Sequence, residues 1–243
     1  MSDGKDTLYR ESLNDVAGFS FDEPVVEVFK DMITRSVPGY SLILSLLGVI
    51  SSRYAQDNTN CYDLGCSLGA STLAIRRHLS AKNCQIIGID NSAPMIEQCK
   101  KNIALDDAST PVSIIHDDIL QHPINNASIS VLNFTLQFIP IEERMNLLTR
   151  IADATCDGGV LVLSEKIQLD SSTHDRDIID LHHQFKRLNG YSALEIAQKR
   201  ESLENILIPE SIETHTQRLL ACGFSDVLLC VQCFNFVSLL AIK

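Results

Sequence analysis

The chain has 243 residues, is 45% apolar and 21% charged, and carries a formal net charge of −11. That length and apolar share suit one large α/β domain, or a domain with a small addition, around an ordinary core. The charge argues against a grip on duplex nucleic acid, which needs Lys and Arg on phosphates, and no run nears the roughly 20 apolar residues of a bilayer span.

The N-terminus, MSDGKDTLYRESLND, is polar and lacks the apolar core of a signal peptide. The reading is a soluble, cytoplasmic protein with a small-molecule substrate. Lys186-Arg187 to Lys199-Arg200 is the one candidate for a local basic patch. The eight cysteines read as reduced, small core residues. Cys230-Val-Gln-Cys233 has zinc-knuckle spacing but no second Cys or His pair, so no metal site is expected.

In chain order, residues 22–36 and 41–54 carry helical patterns separated by SVPGYS, and they are expected to cap an edge or the mouth of the domain's sheet. A strand–helix alternation comes next. Strands are expected at Asn60–Leu64, Cys84–Ile89, Val112–His116, Ser130–Phe134 and Val160–Ser164. Helices are expected at Ala70–Leu79, Ala93–Leu105 and Ile141–Ala154, the last stopped by Asp157-Gly158-Gly159. Residues 168–208 interrupt the rhythm as a polar helical insertion. A last helix, Ile212–Ala221, precedes strands near Ser225–Cys230 and Phe234–Ile242, close enough for an antiparallel hairpin at the sheet edge. The pattern implies a single α/β domain with a mostly parallel sheet and helices on both faces.

The stretch YDLGCSLGAS raises a choice. Gly65-Cys66-Ser67-Leu68-Gly69 spells G-x-S-x-G, the pattern of a serine nucleophile elbow. Against that, Ser67 follows the first strand, no HGGG-like oxyanion motif lies upstream, and the only late histidine, His215, sits in an amphipathic helix. The alternative is a cofactor loop. Gly65 allows a sharp turn and Gly69 close packing of the next helix, whose start offers N–H groups to an anionic group. Asp90 ends the second strand about 20 residues on, where an acid grips ribose hydroxyls. Asp63, Asp90, Asp117-Asp118 and Asn133 fall at the carboxyl ends of four strands, where open α/β sheets bind ligands. Singly, each would serve as a loop cap, a solvated turn or a satisfied amide. With Ser at residue 67 the G-x-G-x-x-G of NAD enzymes is absent, and the looser loop and final hairpin resemble S-adenosylmethionine-dependent methyltransferases.

VPGYS, YDLGCSLGAS, IDNSAPMI, LNFTLQF, LSEK, the NGYS…QKR insertion and QCFNF together resemble the carboxy-S-adenosyl-L-methionine synthase family over nearly the whole chain, apart from the first 15 or so residues and 168–177. The resemblance implies a Rossmann-like, seven-stranded class I methyltransferase fold and an enzyme with unusual chemistry. Its members take S-adenosyl-L-methionine and prephenate to carboxy-S-adenosyl-L-methionine, phenylpyruvate and water. The product serves a separate enzyme that modifies the wobble uridine of certain tRNAs. The departing hydroxide could take the methyl proton, and the resulting ylide would attack carbon dioxide in a pocket that excludes water. The resemblance also assigns Tyr40, Gly65, Cys66, Ser67, Asp90, Asn91, Asp118, Ile119, Asn133 and Arg200 to the cofactor. Asp90 takes the ribose, Asp118 and Ile119 the adenine, and the Gly65–Ser67 turn the methionine part. Arg200 is the expected catalytic residue, a guanidinium for the transferred carboxylate. On its own it reads as a surface arginine. The family forms homodimers, so Arg200 would act in its own site or the neighbour's. An ordinary small-molecule methyltransferase and a non-catalytic binding protein remain the alternatives.

Overall fold

The computed structural model describes residues 4–13, 15–169 and 172–243. Local signals set most helix starts. Helix α1 (Glu23–Ser36) is capped by the Asp22 side chain, which accepts from the Val25 N–H, with Pro24 in the first turn. Helix α2 (Tyr40–Tyr54) follows Gly39 at φ 81°, a left-handed turn that glycine favours. The strand–helix series then runs β1 (Asn60–Leu64), α3 (Ala70–Arg76), β2 (Gln85–Asp90), α4 (Ala93–Ala104) and β3 (Val112–His116). It continues with β4 (Ala127–Asn133), a 3-10 turn at Leu136–Phe138, α5 (Ile141–Ala154) and β5 (Thr155–Lys166). Beyond it come α6 (Ser172–Leu188), α7 (Ala193–Ser202), α8 (Ile212–Ala221), β6 (Asp226–Cys233) and β7 (Phe236–Ile242). Ser192 and Glu195 close a reciprocal capping box on α7.

The seven strands form one sheet in the order β3-β2-β1-β4-β5-β7-β6. Strands β1 to β5 pair in parallel, and β7 is antiparallel to both β5 and β6. The strand order reverses between β1 and β4, which opens a crevice at their carboxyl ends. Alternation along β5 divides the core. Leu161 and Leu163 pack with Leu147, Leu148 and Ile151 of α5 and Leu219 of α8, whereas Val160 and Val162 pack with Leu47 and Ile50 of α2 and Ile75 of α3.

Some boundaries differ from expectation: β4 and β5 both start earlier, at Ala127 and Thr155. Helix α3 ends at Arg76 rather than Leu79. Asp157-Gly158-Gly159 lies inside β5 rather than stopping α5. The helix stops because Thr155 turns extended, at φ −78° and ψ 126°, and the β4–β5 register shifts between Ala127 and Ile129 while Gly158 takes φ 71°. The final antiparallel hairpin lies at the sheet edge as expected, with β7 paired to β5 and β6 outermost. Among the described residues no single helix is long and apolar enough to cross a membrane.

Two buried ionic groups shape the segment after β4. Glu165, 1% exposed, accepts from the N–H groups of Leu136 (2.9 Å) and Gln137 (3.0 Å), and burial pushes its carboxyl up to about 8. Arg144, fully buried, donates to the carbonyls of Ile139, Gln137 and Ile208 and to the Glu210 carboxylate at 2.5 Å. It ties the Leu136–Phe138 turn to the chain entering α8. Arg144→Met should lower stability by roughly 3–5 kcal/mol, because it orphans buried acceptors. Urea unfolding with an unchanged slope and a lower midpoint checks it.

Candidate active site

The turn after β1 is built around close approach. Gly65 takes φ 82°, and a Cβ there would collide with the Thr135 side chain; Gly69 takes φ 84°, with Cys99 Sγ 2.8 Å from where its Cβ would lie. The N–H groups of Gly65 and Cys66 both donate to the Ile89 carbonyl, at 2.8 and 3.0 Å. Ser67, at φ 47°, donates its N–H to Asp90 Oδ2 at 2.8 Å. Asp90 Oδ1 accepts from the Ser92 N–H at 2.9 Å. This one carboxylate therefore joins the glycine turn to the start of α4. Burial lifts its carboxyl above the ordinary value against the pull of those donors. A carboxylate offers about four acceptor positions, so about two remain for a ligand. The Ser67 hydroxyl meets Met95 Sδ at 3.5 Å, and no histidine bonds to it among the described residues. The late histidine, His215, is 1% exposed, and among the described residues neither ring nitrogen has a hydrogen-bond partner. A nucleophilic serine thus has no base.

Deeper in, Asp63 is 1% exposed and accepts from Thr72 Oγ1 at 2.6 Å, and burial raises its carboxyl to about 6. Burial, then the Asp63 charge, pushes the Tyr40 hydroxyl up. Cys66 packs with Cys99, and that neighbouring thiol together with burial pushes the Cys66 thiol up. Asn133 donates from Nδ2 to Ser71 Oγ at 3.0 Å, and its Oδ1 is buried without a partner. Next to it, Phe134 adopts φ 62°, a rare conformation for an aromatic residue, with its ring near Tyr40 and Phe236.

A cavity of about 390 Å³ opens at the carboxyl ends of the strands, within the range of about 300–1,000 Å³ usual for small-molecule sites. Of the sequence-predicted residues, its wall brings together Gly65, Ser67, Asp90, Asn91, Asp118, Ile119 and Asn133. Tyr40 and Cys66 line an adjoining groove, which shares Gly65, Ser67 and Asn133 with the cavity. Asp118 is exposed and Ile119 buried, and among the described residues the Ile119 N–H has no hydrogen-bond partner. Arg200 is not in either wall. It is exposed on α7, near enough to Lys166 and His183 for its charge to lower their proton affinity, after the larger effect of burial.

The structure also brings lysines to the cavity, two of which, Lys186 and Lys199, the sequence offered only as the ends of a candidate basic patch. Lys166 at the end of β5, Lys186 on α6 and Lys199 on α7 all reach the same cavity as Asp90 and Asp118. Burial drives Lys186 down to about 7 and Lys199 to about 8. Phe19 and Phe21 cover the mouth. Their rings meet at 5.1 Å, Phe21 meets Phe138 at 5.4 Å, and the segment is tied down where Phe19 N–H donates to the Ser202 carbonyl and Ser92 Oγ to the Phe21 carbonyl. Lys166 is not marked by the sequence, where the fifth strand is expected to end at Ser164 rather than at Lys166. Among the described residues no three His, Cys, Asp or Glu side chains gather as metal ligands; Cys230 is exposed at the β6 edge and Cys233 packs against Gly39.

A methyltransferase-domain family model matches residues 62–159. The structure resembles human N-acetylserotonin methyltransferase in complex with SAM, with a TM-score of 0.58 and 16% identity over 90% of this chain and 54% of that one, a likeness of fold. A protein of Marinobacter nauticus named carboxy-S-adenosyl-L-methionine synthase is 55% identical over 225 residues, 93% of this chain and 90% of that one. A protein of Hahella chejuensis with the same name is 55% identical over 248 residues, 100% of both chains. With that identity along its whole length, and the seven-stranded methyltransferase sheet beneath it, the chain belongs to the carboxy-S-adenosyl-L-methionine synthase family.

Proposed function

We propose that the chain converts S-adenosyl-L-methionine and prephenate to carboxy-S-adenosyl-L-methionine, phenylpyruvate and water. The observation that carries the reading is the polarity of one cavity. Asp90 and Asp118 stand in its wall together with three lysines that have no ion pair among the described residues. An adenosyl sulfonium suits the acidic part. A neutral methyl acceptor would have no use for the cationic part, whereas an anionic co-substrate needs it.

In this reading Asp90 uses its remaining acceptor positions for the ribose hydroxyls. The Asp118 carboxylate and the Ile119 N–H take the adenine edge. The buried, unpartnered Asn133 Oδ1 suits the ammonium of the methionine part, next to the Gly65–Ser67 turn, with Tyr40 and Cys66 on its groove side. Asn91 flanks the ribose. Arg200 meets the transferred carboxyl from its own subunit or from a neighbour in a homodimer. Prephenate loses carbon dioxide and hydroxide as its ring aromatises. The hydroxide takes a methyl proton and becomes water, and the methyl carbon attacks the carbon dioxide. The Phe19–Phe21 cover excludes bulk water, which would otherwise protonate that carbon. The product feeds a separate enzyme that converts a tRNA wobble uridine to its 5-oxyacetyl form. With a net charge of −11, this chain works in the cytoplasm without gripping the tRNA.

Incubation with both substrates should give, by mass spectrometry, a species heavier than S-adenosyl-L-methionine by one carboxylate group, together with phenylpyruvate. Transfer of an unmodified methyl group with no such species would return the chain to ordinary methyl transfer. Asp90→Ala removes the shared acceptor of Ser67 and Ser92, so calorimetry should show S-adenosyl-L-methionine binding weakened roughly tenfold or more.

A further inference from the structure

Lys166, Lys186 and Lys199 come from three separate elements and converge on one cavity. Lys199 is 8% exposed, and Lys166 and Lys186 are half-buried. Arg35 is matched by Asp31, Arg76 by Asp106, and Arg144 and Arg218 by Glu210, while Arg150 is held by three backbone carbonyls. The three lysines have no ion pair or side-chain hydrogen bond among the described residues; the Lys199 ammonium lies only 5.8 Å from the Phe19 ring centre. They repel one another, since the charges of Lys199 and Lys166 both depress Lys186 after burial does. Asp6 and Asp175 offset this from a distance, while Arg35, Arg200 and each other's charges oppose them. Gathering unpaired like charges in a half-buried wall is costly, and such costs concentrate where a ligand supplies the missing charge.

We propose that Lys166, Lys186 and Lys199 form the anion seat of the cavity and hold the carboxylate that prephenate keeps in phenylpyruvate, not the one it gives up. This rests on the function proposed above and assigns to it the residues that select the co-substrate. The choice between carboxylates follows from charge. A carboxylate leaving as carbon dioxide sheds its negative charge, so a cation bound to it stabilises the starting state and slows its loss. A cation on the other carboxylate carries no such penalty and fixes the ring's position. Phe19, Phe21 and Phe138 stand in the same wall as apolar surface for the ring that becomes aromatic. The neutral His182, whose Nε2–H donates to the Ser36 carbonyl at 2.8 Å, adds no charge of its own, since burial lowers it to about 3.

The methionine carboxylate of S-adenosyl-L-methionine is the rival occupant, and the test separates the two. Lys186→Met and Lys199→Met are measured by steady-state kinetics with prephenate and by calorimetry with S-adenosyl-L-methionine alone. KM for prephenate should rise roughly tenfold or more, with a smaller fall in kcat, an S-adenosyl-L-methionine Kd within about twofold of the parent, and partial recovery in Lys186→Arg. The half-buried Lys186 carries the comparison if Lys199→Met does not fold. An unchanged KM, or a Kd for S-adenosyl-L-methionine that weakens in parallel, overturns the assignment. A parent enzyme that consumes no prephenate overturns instead the function on which it rests.

Discussion

The Asp90 carboxylate is bound on both sides by backbone. One oxygen accepts from Ser67 in the turn after β1, the other from Ser92 at the cap of α4. Because Ser92 also holds the Phe21 carbonyl, the same anchor reaches the N-terminal segment that covers the cavity. Loop, helix start and cover are thus registered to a single carboxylate at the end of β2. Without that acceptor, two buried N–H groups would lose their partner and the left-handed Ser67 its support. The binding geometry rests on this contact more than on any glycine alone.

Around it, the cavity is electrically lopsided. Asp90 and Asp118 come from the ends of β2 and β3, while Lys166, Lys186 and Lys199 come from β5 and the insertion. In the proposed reading the sheet's switch point takes the adenosyl side, as open α/β sheets do, and the insertion takes the co-substrate. Division of labour between a shared sheet and an added helical pair accounts for a common fold with uncommon chemistry.

Much of the fold was legible because its signals are local. Asp22, Ser92, Ser192 and Ser211 cap helices, and apolar alternation marks the strands. Asp157-Gly158-Gly159 misled because a left-handed glycine serves a β-bulge as readily as a helix stop. The acids and Asn133 were legible because strand ends aim at the crevice. The lysines were legible only in part: Lys186 and Lys199 stood out as a candidate basic patch and Lys166 did not, and only packing gathers the three, spread from residue 166 to 199, on one cavity. Lys199 and Arg200 show the limit well. Neighbours on a helix point about 100° apart, so the sequence offers two cations side by side, and the structure buries the lysine and exposes the arginine.

In the proposed reaction carbon dioxide passes from prephenate to the sulfonium methyl within one cavity, without escaping. Prephenate labelled with carbon-13 in its ring carboxylate, turned over in excess unlabelled bicarbonate, reads that transfer directly. Carboxy-S-adenosyl-L-methionine should keep the label almost fully. Dilution of the label to the level of the bulk bicarbonate would overturn the mechanism, because the carboxyl would then arrive from solution and the cavity would have no part in the transfer.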